Sequence, residues 1–129
     1  MCVFCNLNKD LILLESKYTV LLANYFPLSD FNLLAIPKRH VYSITDLSIE
    51  ESADIMQVMA LAVNNIKTAI KPEGVNMFIN EGKIAGQTIP HLHFHIVVRN
   101  TNDNLENFKR NGEKKAITKE DLVLIKTIF

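Results

Sequence analysis

Hydrophobic positions along this chain change period twice. Leu11 to Glu15 is an apolar run closed by Ser16 and Lys17, and Tyr18 to Ala23 is a second run rich in β-forming residues. Pro27, Ser29 and Asp30 mark a connection, after which Leu33 to Ile36 forms a third run stopped by Pro37. The period then lengthens. Ile55, Met56, Met59, Val63, Ile66 and Ile70 recur every three or four residues, which predicts a helix with one apolar face. Ser48 with Glu51 three residues on is a capping-box pattern, and Pro72 ends the segment. Short runs return at Val75 to Asn80 and His91 to Arg99, separated by a loop from Glu81 to Pro90. The tail from Thr101 is polar, with Thr118 placed to cap a short helix over Leu122 to Ile125. The expected fold is α+β: a mainly antiparallel five-stranded sheet with one long helix packed on it, in a single domain over residues 1–129.

Composition narrows the function. Apolar residues make up 48% of the 129, enough for a core in one domain of common size. Lys+Arg and Asp+Glu both number 14, so no global field steers the chain to nucleic acid or an anionic membrane. Phosphate binding would have to be local. No apolar run nears the ~20 residues of a membrane-spanning helix. The start, Met1-Cys2-Val3-Phe4-Cys5, lacks a secretion signal's charged and apolar regions, so a cytoplasmic location is expected. Cys2 and Cys5 form a C-x-x-C with no strand before it, which leaves metal ligation or idle reduced thiols.

The chemistry concentrates at His91-Leu92-His93-Phe94-His95, which holds three of the four histidines. On a strand, alternate side chains share a face, so the three imidazoles would line one side. Such a row is either a metal site or a catalytic strip. Just upstream lies Gly86-Gln87-Thr88. Glycine admits close approach of a ligand, turn N–H groups can form an anion nest, and Gln87 and Thr88 can donate to phosphate oxygens. Histidine beside phosphate donors points to phosphoryl or nucleotidyl transfer, with one ring nitrogen attacking phosphorus and the other handing its proton to an acceptor. The competing reading is one metal ion held by His91, His93 and His95, which would leave the Gly-Gln-Thr loop without a purpose.

The segment from Asn80 through Val97 resembles the hallmark of the histidine-triad (HIT) superfamily: H-φ-H-φ-H-φ-φ, with φ apolar, preceded by N-x-G and G-Q-[ST]. Every φ position is filled, and Ala35-Ile36-Pro37-Lys38-Arg39-His40 resembles the family's strand and turn ahead of its main helix. The resemblance implies that His93 is the nucleophile toward a nucleotide α-phosphate, with the His91 carbonyl accepting from its second nitrogen. It implies that His95, Gln87, Thr88 and Gly86 hold phosphate oxygens, that Asn80 lies near the phosphate, and that Asn24 bonds the ribose hydroxyls. Leu22, Tyr25 and Leu34 would flank a purine base. Family members hydrolyse nucleoside phosphoramidates or dinucleoside polyphosphates, release a nucleoside monophosphate, need no catalytic metal, and are mostly homodimers.

In zinc-containing members of that family two N-terminal cysteines join two histidines. The corresponding set is Cys2, Cys5, His40 and His91, a Cys₂His₂ donor set suited to a closed structural zinc site. One departure stands out: where many members carry Gly-His, this chain has Phe31-Asn32. A non-catalytic nucleotide-binding protein is the alternative that this departure keeps open.

Overall fold

The computed structural model describes residues 2–103, 105–106, 109–110 and 114–129. β1 (Ile12–Glu15), β2 (Thr19–Ala23) and β3 (Asn32–Pro37) run in sequence, followed by α1 (Ile49–Ile70), β4 (Gly74–Phe78) and β5 (Phe94–Arg99). These five strands make one sheet of order β1-β2-β3-β5-β4, antiparallel at every pairing. β6 (Leu105–Glu106) and β7 (Lys109–Arg110) form a small hairpin that the polarity of the tail did not announce, and α2 (Lys119–Lys126) closes the chain. The architecture is the α+β arrangement expected.

α1 starts where the local code puts it. Ser48 accepts from Glu51 N–H while the Glu51 carboxylate accepts from Ser48 N–H, so two orphan donors of the first turn are satisfied reciprocally. Lys71 takes a left-handed conformation, φ 46°, and Pro72 cannot continue the hydrogen-bond ladder. The buried stripe is Ile55, Val58, Met59, Ala62, Val63 and Ile66. Met56 and Ile70, expected on that stripe, are instead exposed, because the face turned to the sheet passes through Val58 and Ala62. Each fully buried isoleucine contributes about 1.5–3 kcal/mol of transfer free energy.

Register tells which sheet face α1 covers. Thr19 Oγ1 donates to Asp54 of α1 at 2.7 Å, so Thr19, and with it Leu21 and Ala23, face the helix. Cross-strand pairing carries that face to Ala35, Leu33, Phe94 and Ile96. Leu22, Leu34, His95 and Phe78 then share the opposite face, through the pairs Leu22↔Leu34, Leu34↔His95 and Phe78↔His95. α2 buries Ile125, and just beyond it the Ile128 carbonyl accepts from Asn65 Nδ2 of α1. No helix among the described residues is long and apolar enough to cross a membrane.

Candidate functional site

β5 opens at Phe94, so only His95 of the three histidines lies in the strand. The expectation of a strand from His91 is corrected by its partners: the ladder with β3 ends at Ala35↔Phe94 and that with β4 at Phe78↔His95. Upstream the backbone bonds elsewhere, His91 N–H to the Ile89 carbonyl and Leu92 N–H to the Val41 carbonyl. The three imidazoles therefore do not form one row, and His91 turns toward a different set of neighbours.

His93 Nδ1 lies 2.8 Å from the His91 carbonyl. A carbonyl only accepts, so Nδ1 carries the proton and Nε2 holds the lone pair. The ring is buried and packs edge-on against Phe4, centroids 5.1 Å apart. Burial pushes its pKa below the ordinary histidine value, and the hydrogen bond to His91 opposes that shift. His95 lies 5.0 Å from His93, ring to ring, and stacks on Phe78 at 4.7 Å and 14°. Burial, aided by His93, lowers its pKa to about 4, so it is neutral at pH 7. His95 Nδ1 is buried without a hydrogen-bond partner.

The loop ahead of the histidines is shaped by two glycines. Gly82 and Gly86 have φ of 92° and 101°, which favour glycine, and a Cβ on Gly86 would sit 3.2 Å from Asn80 Nδ2. The expected nest of outward N–H groups is not formed. Gly86 N–H bonds the Lys83 carbonyl and Gln87 N–H the Gly82 carbonyl, so these donors close the turn on itself. The free donor is a side chain: Gln87 Oε1 accepts from Gly82 N–H at 2.8 Å, and Gln87 Nε2 is buried and unpartnered. Asn80 is half-buried against Gly86, and Thr88 is exposed. Two orphaned polar atoms, on His95 and Gln87, belong to the same segment as the free Nε2 of His93. Native proteins rarely leave such groups unmade, and a bound anion is one way to complete them.

At the far end of β2, Asn24 is half-buried, its Nδ2 donating to Asn32 Oδ1 and its Oδ1 accepting from Phe26 N–H. Leu22 and Leu34 share the His95 face but are buried within the core, whereas Tyr25 is exposed and rests its ring on Phe26. Sequence reasoning missed the rings of Phe4 and Phe78 that hold the histidines. Phe78 was findable from the β4–β5 register alone, while nothing local announced Phe4.

His91 joins the cysteines. The donor atoms of Cys2, Cys5, His40 and His91 all lie within 4.8 Å of one another, and among the described residues they are the group able to hold a metal. His91 Nδ1 is 3.4 Å from Cys2 Sγ, 3.6 Å from Cys5 Sγ and 3.1 Å from His40 Nδ1, while Cys5 Sγ is 3.1 Å from His40 Nδ1. Tetrahedral zinc with Zn–N near 2.0 Å and Zn–S near 2.3 Å sets its ligands about 3.3–3.8 Å apart. The separations of 3.1 to 3.6 Å given above are close to this, so the donor set suits that metal. His91 Nε2–H donates to the Pro37 carbonyl at 2.9 Å, which fixes the tautomer that frees Nδ1 for a metal. His93 and His95 stand outside this group, contrary to the three-histidine metal reading.

The HIT domain family model matches residues 6–102. The chain is 36% identical over 100 residues to the adenosine 5'-monophosphoramidase of Schizosaccharomyces pombe, covering 74% of this chain and 72% of that protein. It is 38% identical over 86 residues to the bis(5'-adenosyl)-triphosphatase of Saccharomyces cerevisiae, covering 66% of this chain but 42% of the yeast protein. Among solved structures, a Zn-bound histidine triad family protein from Mycobacterium smegmatis superposes with a TM-score of 0.78 at 27% identity, over 98% of this chain and 91% of that one. The family match runs from ahead of β1 to beyond β5 and takes in all four histidines, so this chain belongs to the HIT domain family.

Proposed function

We propose that the chain is a nucleotide hydrolase or transferase that cleaves at the α-phosphate of nucleoside phosphoramidates or dinucleoside polyphosphates and releases a nucleoside monophosphate, AMP by preference. The observation that carries this reading is the fixed tautomer of His93. With Nδ1–H held on the His91 carbonyl, Nε2 keeps its lone pair free to attack phosphorus. The P–N or P–O bond to the leaving group breaks as the Nε2–P bond forms. Water then attacks phosphorus, the nucleotide leaves, and His93 is restored.

His95 Nδ1, in the tautomer that carries its proton there, and Gln87 Nε2, both unpartnered in the free protein, supply hydrogen bonds to phosphate oxygens as negative charge develops. Thr88 and Asn80 border that site, Gly86 gives the phosphate room, and Asn24 faces the ribose. Tyr25 offers an exposed ring to the base, and Leu22 and Leu34 are buried apolar residues of the sheet face that carries His95. The two relatives named above as a phosphoramidase and a triphosphatase both act on adenosine compounds, which supports the choice of base.

Cys2, Cys5, His40 and His91 would hold a structural zinc, which ties the chain start to the sheet and leaves the attack on phosphorus to imidazole. The same reading has the protein act as a homodimer. It is supported by β4, an edge strand that exposes Met77, and by Met56 and Leu61 exposed on α1. Light scattering of the purified protein tests the dimer. The nucleotidyl intermediate is tested by rapid acid-free quenching with an adenosine phosphoramidate and mass analysis of the His93 peptide. An AMP adduct on His93 is expected; turnover with no adduct at any time point would remove the covalent step.

A further inference from the structure

Asn24 and Asn32 form a relay of two amides whose polarity is fixed by backbone at both ends. Phe26 N–H donates to Asn24 Oδ1 at 3.2 Å, and Asn24 Nδ2 donates to Asn32 Oδ1 at 2.8 Å. Asn32 Oδ1 also accepts from Leu28 N–H at 3.0 Å, while Asn32 Nδ2 donates to the carbonyls of Ile96 at 2.9 Å and Leu33 at 3.3 Å. A backbone N–H only donates and a carbonyl only accepts, so neither amide can turn over without setting like against like. Asn32 is fully buried and its hydrogen-bonding capacity is spent. Asn24 keeps one lone pair on Oδ1 and one hydrogen on Nδ2, on a half-buried side chain.

We propose that Asn32 is a positioning residue that fixes Asn24 as one acceptor and one donor for two adjacent hydroxyls of the substrate sugar. This rests on the reading above that Asn24 faces the ribose. One hydroxyl donates to Asn24 Oδ1 and its neighbour accepts from Asn24 Nδ2. The pair also dictates what position 24 tolerates. In an Asn24→Asp variant a carboxylate oxygen faces Asn32 Oδ1 with no proton between them. Turning Asn32 over does not help, because its Nδ2 then meets Leu28 N–H and its Oδ1 the Ile96 carbonyl. Asn32→His supplies a ring N–H that can donate to that carboxylate, so the two substitutions should compensate.

The test is titration calorimetry of AMP and 2',3'-dideoxy-AMP against the full chain and its variants. Wild type should prefer AMP by about tenfold or more, the worth of about one good hydrogen bond. Asn32→Leu should lose about tenfold in AMP affinity while dideoxy-AMP affinity stays within about twofold, a split that general loosening of the fold would not give. Asn24→Asp should lose the preference, and Asn24→Asp with Asn32→His should regain it; this pair decides the matter if Asn32→Leu does not fold. A wild type that binds both ligands equally would sink the ribose reading and the inference with it. A wild-type preference that survives unchanged in Asn32→Leu or in Asn24→Asp overturns the role of Asn32 alone.

Discussion

Gln87→Met separates the two halves of the phosphate argument, because one side-chain amide has one atom used and one atom idle. Gln87 is 6% exposed, Oε1 is bonded to Gly82 N–H, and Nε2 has no partner. A buried amide donor left unmade costs about 1–3 kcal/mol. Methionine keeps the length and volume and abolishes that cost, but it strands Gly82 N–H at a similar one. The two changes offset, so the stability of the free protein should move by less than about 1 kcal/mol in urea denaturation. The complex has no such offset. A hydrogen bond to a charged oxygen is worth about 1.5–3 kcal/mol, so kcat/KM for an adenosine phosphoramidate should fall about 10- to 150-fold. If the donor acts on the developing charge the loss appears in kcat; if it only grips the ground state it appears in KM. A kcat/KM within about twofold of wild type would refute the assignment of Nε2 to phosphate. A variant destabilised by more than about 2 kcal/mol would refute the bookkeeping of the free protein.

Three further outcomes follow from the same geometry. His93→Gly should lower turnover by about a thousandfold or more while AMP still binds, with added imidazole recovering part of the rate; a loss of only a few-fold would remove His93 as nucleophile. Cys5→Ser should abolish zinc in metal analysis of the purified protein and lower its melting temperature, and an unchanged metal content would break the four-ligand assignment. Glu51 should mark the acid limb of stability. Its carboxyl is held down to about 2 first by the Arg39 hydrogen bonds and then by Ser48 N–H, against an ordinary value near 4.5. A folded pKa below the unfolded one stabilises fully above about pH 4.5 and is lost as pH falls toward about 2. The whole displacement corresponds to about 3 kcal/mol, which solvent around the half-exposed Arg39 reduces to about 1–2 kcal/mol. Glu51→Gln should cost that much at pH 7, and the gap to wild type should close by pH 2; a gap that persists at pH 2 would refute the linkage.

Local signals carried α1 almost entirely. Ser48, Glu51, the apolar stripe and Pro72 act within one or two turns, so they can be read without knowing the rest of the molecule. The capped helix after Thr118 was legible for the same reason. Strand limits were less so. Whether His91 and His93 belong to a strand depends on where Ala35 and Phe78 run out as partners, and that is a property of three strands together. The direction of the Gly82–Gly86 turn was also hidden, because such a turn can present its N–H groups outward or, as here, spend those of Ala85, Gly86 and Gln87 on the Gly82 and Lys83 carbonyls. The sequence flagged Phe31-Asn32 as a departure but could not give its consequence. Asn32 matters through Asn24, Leu28 and Ile96, three partners brought to it by the β2–β3 turn and the β3–β5 pairing.

The geometry also changes how the three histidines divide their work. His91 serves two sites with different atoms. Its side-chain Nδ1 faces Cys2, Cys5 and His40, and its Nε2–H is fixed on Pro37. Its backbone carbonyl meanwhile sets the tautomer of His93. Phe4, which lies between the two cysteines in the chain, places its ring against both His91 and His93. A metal at the cysteine cluster would therefore clamp the backbone oxygen and the aromatic wall that hold His93, the residue proposed above as nucleophile. Two imidazoles two residues apart on a uniform strand would present the same atoms to the same side. Breaking the strand at Phe94 is what lets the His91 ring join the cysteines while the His93 and His95 rings stay against each other.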